Sequence, residues 1–162
     1  MSGEPVSAAD IAIAKDGVRD TMGRYNMAGD SGRFADLAAT FTHDGVLENR
    51  AWRLVGHAAI LARMEALRLT CDPRLTLARH HLTTCSIDIV SPERATARSY
   101  FWVLSNIGPD HGGVYTDALR REGTKWLFER RRVRVEWAAP NTLFLLDDMA
   151  PEAAARGQQP LA

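Results

Sequence analysis

The chain is 162 residues long, enough for one compact domain with a real core, and its 46% hydrophobic and 25% charged residues are ordinary for a globular protein. Lys+Arg and Asp+Glu both total 20, which argues against nucleic acid or an anionic membrane as the main partner, because both demand a basic excess. No apolar run approaches a membrane span, and the opening MSGEPVSAAD has neither the basic nor the apolar segment of a signal peptide, so the expected location is cytoplasmic.

Ser7 with Asp10 marks a helix start as a capping-box variant. Behind it Ile11, Ala14, Val18, Met22 and Tyr25 recur at helical spacing and define one buried face. Gly29 is expected to stop this helix, with Asp30 or Ser31 capping the next. That second helix is short and carries Phe34, Leu37, Ala38 and Phe41 on one side, and Asp44-Gly45 reads as a turn. Residues 46–56 read as a strand pair or ragged hairpin. A third helix begins near His57, with Ile60, Leu61, Met64 and Leu67 as its stripe.

From there the pattern becomes β. Segments 79–90, 95–105, 113–121 and 125–137 alternate or are rich in β-branched and aromatic residues, and Ser91-Pro92-Glu93, a Gly108-Pro109-Asp110 loop with Gly112-Gly113, and Glu122-Gly123 separate them. Helices followed by an antiparallel meander predict an α+β fold. In 95–105, Ala95, Ala97, Ser99, Phe101 and Val103 share one face, the small set that suits a concave surface near the helices. Thr96, Arg98, Tyr100, Trp102 and Leu104 share the other, which suits a subunit interface of a dimer or trimer, or shelter under the C-terminal tail. In 125–137 the apolar phase runs through Trp126 and Phe128, then switches to Val133, Val135 and Trp137. A phase switch inside one strand predicts a β-bulge, and bulges bend sheets.

Cys71 and Cys85 lack metal-type spacing and read as reduced, small, buried or half-buried hydrophobes. The adjacent His80 and His81 point to opposite faces of a strand, a poor metal clamp, so no metal site is expected. The run Arg130-Arg131-Arg132 with Arg134, diluted by Glu129 and Glu136, reads as a solvated outer face or interface.

Several strings in this order carry a resemblance: RYNMAGDSGRFADLAATFTHDGVLEN (24–49), RHH (79–81), ATARSYF (95–101), GGVYTDALRREGTKW (112–126) and RRVRVEW (131–137). The chain resembles SnoaL-like proteins of the nuclear-transport-factor-two-like superfamily, which include scytalone dehydratase, bile-acid dehydratase and polyketide cyclases. The resemblance implies a curved antiparallel sheet wrapped around N-terminal helices as a cone-shaped barrel with an internal pocket. Residues 1–140 would form the cone and 141–162 a partly mobile extension. It further implies cofactor-free dehydration, isomerisation or cyclisation of an apolar oxygenated small molecule. In such dehydratases a Tyr and an Asp near the first helix junction meet a strand His inside the cone. Tyr25 and Asp30 match the first two. For the His, gapless comparison favours His80, whereas strict alternation puts His81 in phase with Ile87 and Ile89; both hold only with a bulge between 82 and 86. Asn49 and Ser105 stand where scytalone dehydratase has a second Tyr and a second His.

On this basis the catalytic candidates are Tyr25, Asp30 and His80, and the binding candidates are Tyr115, Asp117, Phe101 and Val103. Each also has a plainer reading. Tyr25 would be a core tyrosine, Asp30 a helix cap, and Asp117 the partner of Arg130 or Arg132 in a structural ion pair. A non-catalytic alternative also fits, because the beta subunits of ring-hydroxylating dioxygenases share this fold and serve structurally.

Overall fold

A computed structural model describes residues 7–144. The predicted residues 145–162 of the C-terminal extension lie outside that span. Helix α1 (Ala8–Asp30) begins as its sequence predicts: Ser7 accepts from the Asp10 backbone N–H and Asp10 reaches back to Ser7, a complete capping box. Helix α2 (Phe34–Ala38) follows after a short turn. Then come strand β1 (Phe41–Glu48), strand β2 (Arg53–Val55) and helix α3 (Gly56–Thr70). Four long strands complete the chain: β3 (Ala78–Ser91), β4 (Arg94–Ser105), β5 (Gly108–Glu122) and β6 (Lys125–Ala138).

The six strands form one open, curved sheet in the order β2-β1-β6-β5-β4-β3. Every neighbouring pair is antiparallel except β1 and β6, which run parallel. The sheet is therefore mixed at this one join and does not close into a barrel. Glu48 at the end of β1 pairs with Arg130 and Arg132 of β6 and with Arg53 of β2, tying the join by charge.

Strand β4 shows why the sheet has two characters. Ala95, Ala97, Ser99, Phe101 and Val103 are all buried, while Thr96, Arg98, Tyr100 and Trp102 are exposed. The period is two, as the pleat demands. The small residues let Val18, Met22 and Tyr25 of α1 settle into the concave face, where they join Phe41, Ile87, Leu119, Trp126 and Phe128 in the main core.

Bulges supply the curvature. In β6, Leu119 faces Phe128 and Ala118 faces Arg130, so Glu129 is extra. The inward phase accordingly moves from Trp126 and Phe128 to Arg131, Val133 and Val135. A second shift near Gly112 and Gly113 turns Trp137 outward. At that second bulge a Cβ on Gly113 would sit 1.9 Å from the Arg134 carbonyl oxygen. Gly113→Ala is expected to cost about 1–3 kcal/mol by overpacking, measured as a lowered urea midpoint.

Several sequence expectations are corrected here, among them the burial of Cys85, which is exposed. Asp44-Gly45 is no turn between elements, and Phe41 belongs to no helix. Both lie in β1, where residues 42–45 stand against Glu129 alone, so a wide bulge absorbs the turn-like residues. A Cβ on Gly45 would lie 2.8–2.9 Å from the Phe128 carbonyl oxygen, Phe41 Cβ and the Thr42 carbonyl oxygen, which explains the glycine. The expected Gly108-Pro109-Asp110 loop is the first part of β5 instead.

Candidate active site

Between the end of α1, helix α3 and the concave side of the sheet lies a cavity of about 390 Å³. Its wall is mainly apolar, with Leu37, Leu47, Met64, Leu67, Phe101 and Val135 prominent. Into this hollow a few polar groups project.

Asp30 closes α1. A carboxylate at a helix C-terminus faces the negative end of the dipole and needs other partners. It finds them on β3: Asp30 Oδ2 accepts from the His80 backbone N–H at 2.9 Å, and Oδ1 meets His80 Nδ1 at 2.6 Å. The Asp30 side chain is 7% exposed and that of His80 24%. Asp30 is therefore not the cap of α2, whose N-cap residue is Arg33 and which has no side-chain capping bond. With Nδ1–H donated to Asp30, the lone pair of a neutral His80 lies on Nε2, the side of the ring away from the carboxylate.

His80 lines the cavity, whereas His81 points to the opposite face and packs on Trp102, with ring centroids 5.2 Å apart. The conflict between strand phase and family comparison is resolved by a register shift between Leu82 and Cys85, inside the stretch where a bulge was required.

A second imidazole, His111, also lines the cavity and was missed from sequence. Its ring centroid lies 6.3 Å from that of His80. Its Nδ1 is 2.9 Å from Asp110 Oδ1. Asp110 is fully buried and accepts further bonds from Ser105 Oγ (3.0 Å), the Thr142 hydroxyl and the Leu143 N–H (3.2 Å). Burial works to raise the Asp110 pKa, but these four donors together hold it below the usual carboxylate range. Burial also depresses the His111 pKa, against the pull of Asp110, and the nearby His80 adds to the depression. His111 is thus neutral at pH 7, with Asp110 fixing its tautomer. Ser105, the residue expected to mark a missing histidine, serves the carboxylate that holds this one. Phe144 covers both rings, 4.7 Å from His111 and 6.4 Å from His80 between centroids.

Tyr25 and Tyr115 form the floor. Their rings meet edge to face at 6.2 Å, and Phe101 stacks on Tyr115 at 4.3 Å. Burial is the largest influence on both phenols and raises their pKa values, that of Tyr115 well above 10.0. Both are neutral donors at physiological pH. Behind them Arg131 sits fully buried, its guanidinium 4.0–4.4 Å from the rings of Phe128, Tyr115 and Tyr25. It grips Asp117 with two bonds, Nε–Oδ1 at 2.9 Å and Nη2–Oδ2 at 2.7 Å. Burial raises the Asp117 pKa above its ordinary value, with Arg131 pulling the other way.

The structure therefore brings Tyr25, Asp30, His80, Phe101 and Tyr115 around one hollow. Asp117 and Val103 do not line it. Asp117 is turned into its ion pair, and Val103 is buried in a packed cluster with Phe101, Tyr115 and Val135. The Asp117 partner is Arg131, not Arg130 or Arg132, and Arg131 is no part of a solvated face.

A bent sheet packed over helices around an apolar hollow is a fold of the nuclear-transport-factor-two-like kind, and two carboxylate-held imidazoles line the hollow. The chain belongs to the SnoaL-like domain family, whose model matches residues 11–132. Among solved structures, it is similar to Rv3472(D26N) of Mycobacterium tuberculosis, a protein of unknown function, at 22% identity, TM-score 0.72, covering 94% of this chain and 89% of that one. It is also similar to ActVI-ORFA of Streptomyces coelicolor (26% identity, TM-score 0.66, 76% and 97% covered). A third likeness is to a candidate scytalone dehydratase of Novosphingobium aromaticivorans (23%, TM-score 0.69, 80% and 88%). Among curated proteins, none matches the sequence.

Proposed function

We propose that the protein is an acid–base enzyme needing no cofactor, which removes a proton from carbon in an apolar, oxygenated small molecule and expels water or moves the double bond. The observation that carries this reading is the Asp30–His80 pair opening into a largely apolar cavity. In such a site His80 Nε2, the ring nitrogen away from the carboxylate, takes a proton from a C–H beside a carbonyl. Asp30 holds the ring and offsets the charge that forms on it. Tyr25, kept protonated by burial, donates to the enolate oxygen. The proton taken from carbon then rests on His80 Nε2, and the same imidazolium delivers it to the departing hydroxyl, which leaves as water and returns the ring to its starting state. Tyr115 and Phe101 supply flat walls for a ring. A cavity of about 390 Å³ falls in the range of pockets for drug-sized ligands, in keeping with a polyketide-like or steroid-like compound.

The test uses a cyclic β-hydroxyketone, 3-hydroxy-1-tetralone, whose loss of one water gives 1-naphthol and is followed by naphthol fluorescence. Catalysed release that disappears in His80→Ala is expected. No release above the buffer rate, or equal release by the variant, would overturn the reading. Tyr100, Trp102 and Trp137 are exposed on the outer sheet face, which supports self-association there. Sedimentation should show a dimer or trimer that Trp102→Glu dissociates, and a monomeric wild type would count against it. No helix among the described residues is long and apolar enough to cross a membrane.

A further inference from the structure

The outer face of the sheet, opposite the cavity, carries a second hollow of about 340 Å³. Four arginines stand around it, Arg50, Arg98, Arg132 and Arg134, with Thr116 and Val114. Among the described residues no acidic side chain lines it. In a chain whose cations and anions total 20 each, four guanidiniums around one hollow concentrate charge locally. All four arginines and Thr116 are exposed, the side chains of Arg132 and Arg134 by 62% and 44%, so an incoming group reaches them. The sheet register brings them together. Arg98 of β4 stands opposite Thr116 of β5, which stands opposite Arg132 of β6, and Arg134 faces Val114 in the next outward row. Arg98 and Arg132 therefore start about 10 Å apart, two strand spacings. Both side chains are long enough to meet one group above Thr116.

Neighbouring acids do not neutralise the cluster. Glu48 is divided among Arg53, Arg130 and Arg132, the last at 3.4 Å, and Glu136 pairs with Arg134. Among the described residues, Arg50 and Arg98 have no side-chain partner. A cleft lined by one sign of charge focuses its field on a counter-ion. Guanidinium groups offer a planar fork of donors that fits the oxygens of a phosphate. A phosphate monoester carries close to two negative charges at pH 7, enough to engage two of the arginines, whereas a single carboxylate carries one. The basic area is also short. Asp88, exposed and in register with Thr96 one row beyond Arg98, bounds it on one side, and Glu136 bounds it on the other. That suits a compact anion and not the long backbone of a nucleic acid or the plane of a membrane.

We propose that Arg50, Arg98, Arg132 and Arg134 with Thr116 form a binding site for the phosphate group of a small soluble phosphorylated compound, on the side of the sheet away from the cavity. It does not rest on the acid–base reading. The test titrates inorganic pyrophosphate, and acetate for comparison, into the full-length protein by calorimetry. Ionic strength is held at the physiological value, where diffuse attraction is screened within about 8 Å. The wild type should bind pyrophosphate saturably and about tenfold or more tighter than acetate. Arg98→Gln and Arg132→Gln should each weaken it by about tenfold or more, the scale of one hydrogen bond to a charged group. In proton–nitrogen correlation spectra pyrophosphate should shift the Arg98 Nε–H resonance, identified by its loss in Arg98→Gln. His80→Ala should leave the affinity unchanged, which separates this site from the cavity. No saturable binding by the wild type, equal affinity for acetate, binding indifferent to both glutamine variants, an unmoved Arg98 resonance, or binding lost in His80→Ala would each overturn the proposal. Binding seen only in Trp102→Glu would overturn it as well, because a second copy would then cover the arginines. The comparison of the two anions needs only wild-type protein, so a poorly folding variant does not remove the test.

Discussion

Arg131→Met is expected to lower the unfolding free energy by about 3–5 kcal/mol, the usual loss when one partner of a buried ion pair is removed. Both side chains of the Arg131–Asp117 pair are 0% exposed, so solvent cannot take over when one goes. The substitution leaves Asp117, already pushed toward its neutral form by burial, without the two hydrogen bonds of a guanidinium that lies among the rings of Phe128, Tyr115 and Tyr25. It also removes a cation stacked among those rings, a contribution of about 0.5–2 kcal/mol per favourable contact in a desolvated site. Urea unfolding should show a lower midpoint at unchanged slope. The double variant Arg131→Met with Asp117→Leu should recover much of the loss, since a buried pair replaced by apolar residues is often close to neutral. A single-variant loss below about 1 kcal/mol would mean that Asp117 reaches water once its partner is gone. The double variant distinguishes loss of the ion pair from loss of packing.

Asp30→Asn and His80→Ala should each reduce turnover by about 10²–10⁴-fold, the range for positioned acid–base groups. The reasons differ. On the proposed mechanism, removing the His80 imidazole leaves no group to take the carbon proton. With Asn at position 30 the imidazole remains, but the amide offers one oxygen where the carboxylate spends two, on the His80 N–H at 2.9 Å and on Nδ1 at 2.6 Å. The ring is then free to turn or to adopt the other tautomer, and no negative charge offsets the imidazolium. Because the two residues act as a unit, the double variant should be scarcely worse than the worse single one. Single-turnover measurements with the β-hydroxyketone would show this. Losses that multiply in the double variant would mean that Asp30 acts independently of His80.

The sequence was most readable where one physical rule operated alone. Strand β4 has Ala95, Ala97, Ser99, Phe101 and Val103 buried in strict alternation, so its concave face could be assigned from spacing. The bulge in β6 was readable from the jump in apolar phase between Phe128 and Val133. Carried one step back from Val133, that same phase places Arg131 inward. Its three arginine neighbours masked this, because a charge run normally means a wet surface. His111 was hidden by composition. GPDHGG has the residues of a loop, yet Gly112 and Gly113 are there because Phe101, Trp102 and Arg134 crowd them, and the strand runs through. Asp44-Gly45 misled for the same reason: turn residues also suit a wide bulge. The choice between His80 and His81 depended on one extra residue in β3, which alternation alone could not locate.

Asp110 accepts bonds from His111, from Ser105 and from the chain just past β6, at Thr142 and Leu143. One buried charge is therefore shared between a cavity imidazole and the segment that lays Phe144 across the two histidine rings. Lifting residues 142–144 away would strip two donors from that charge and throw more of it onto His111, drawing the ring toward its protonated form as Phe144 leaves its face. The seating of this short segment and the proton affinity of the second imidazole are thus coupled through a single carboxylate.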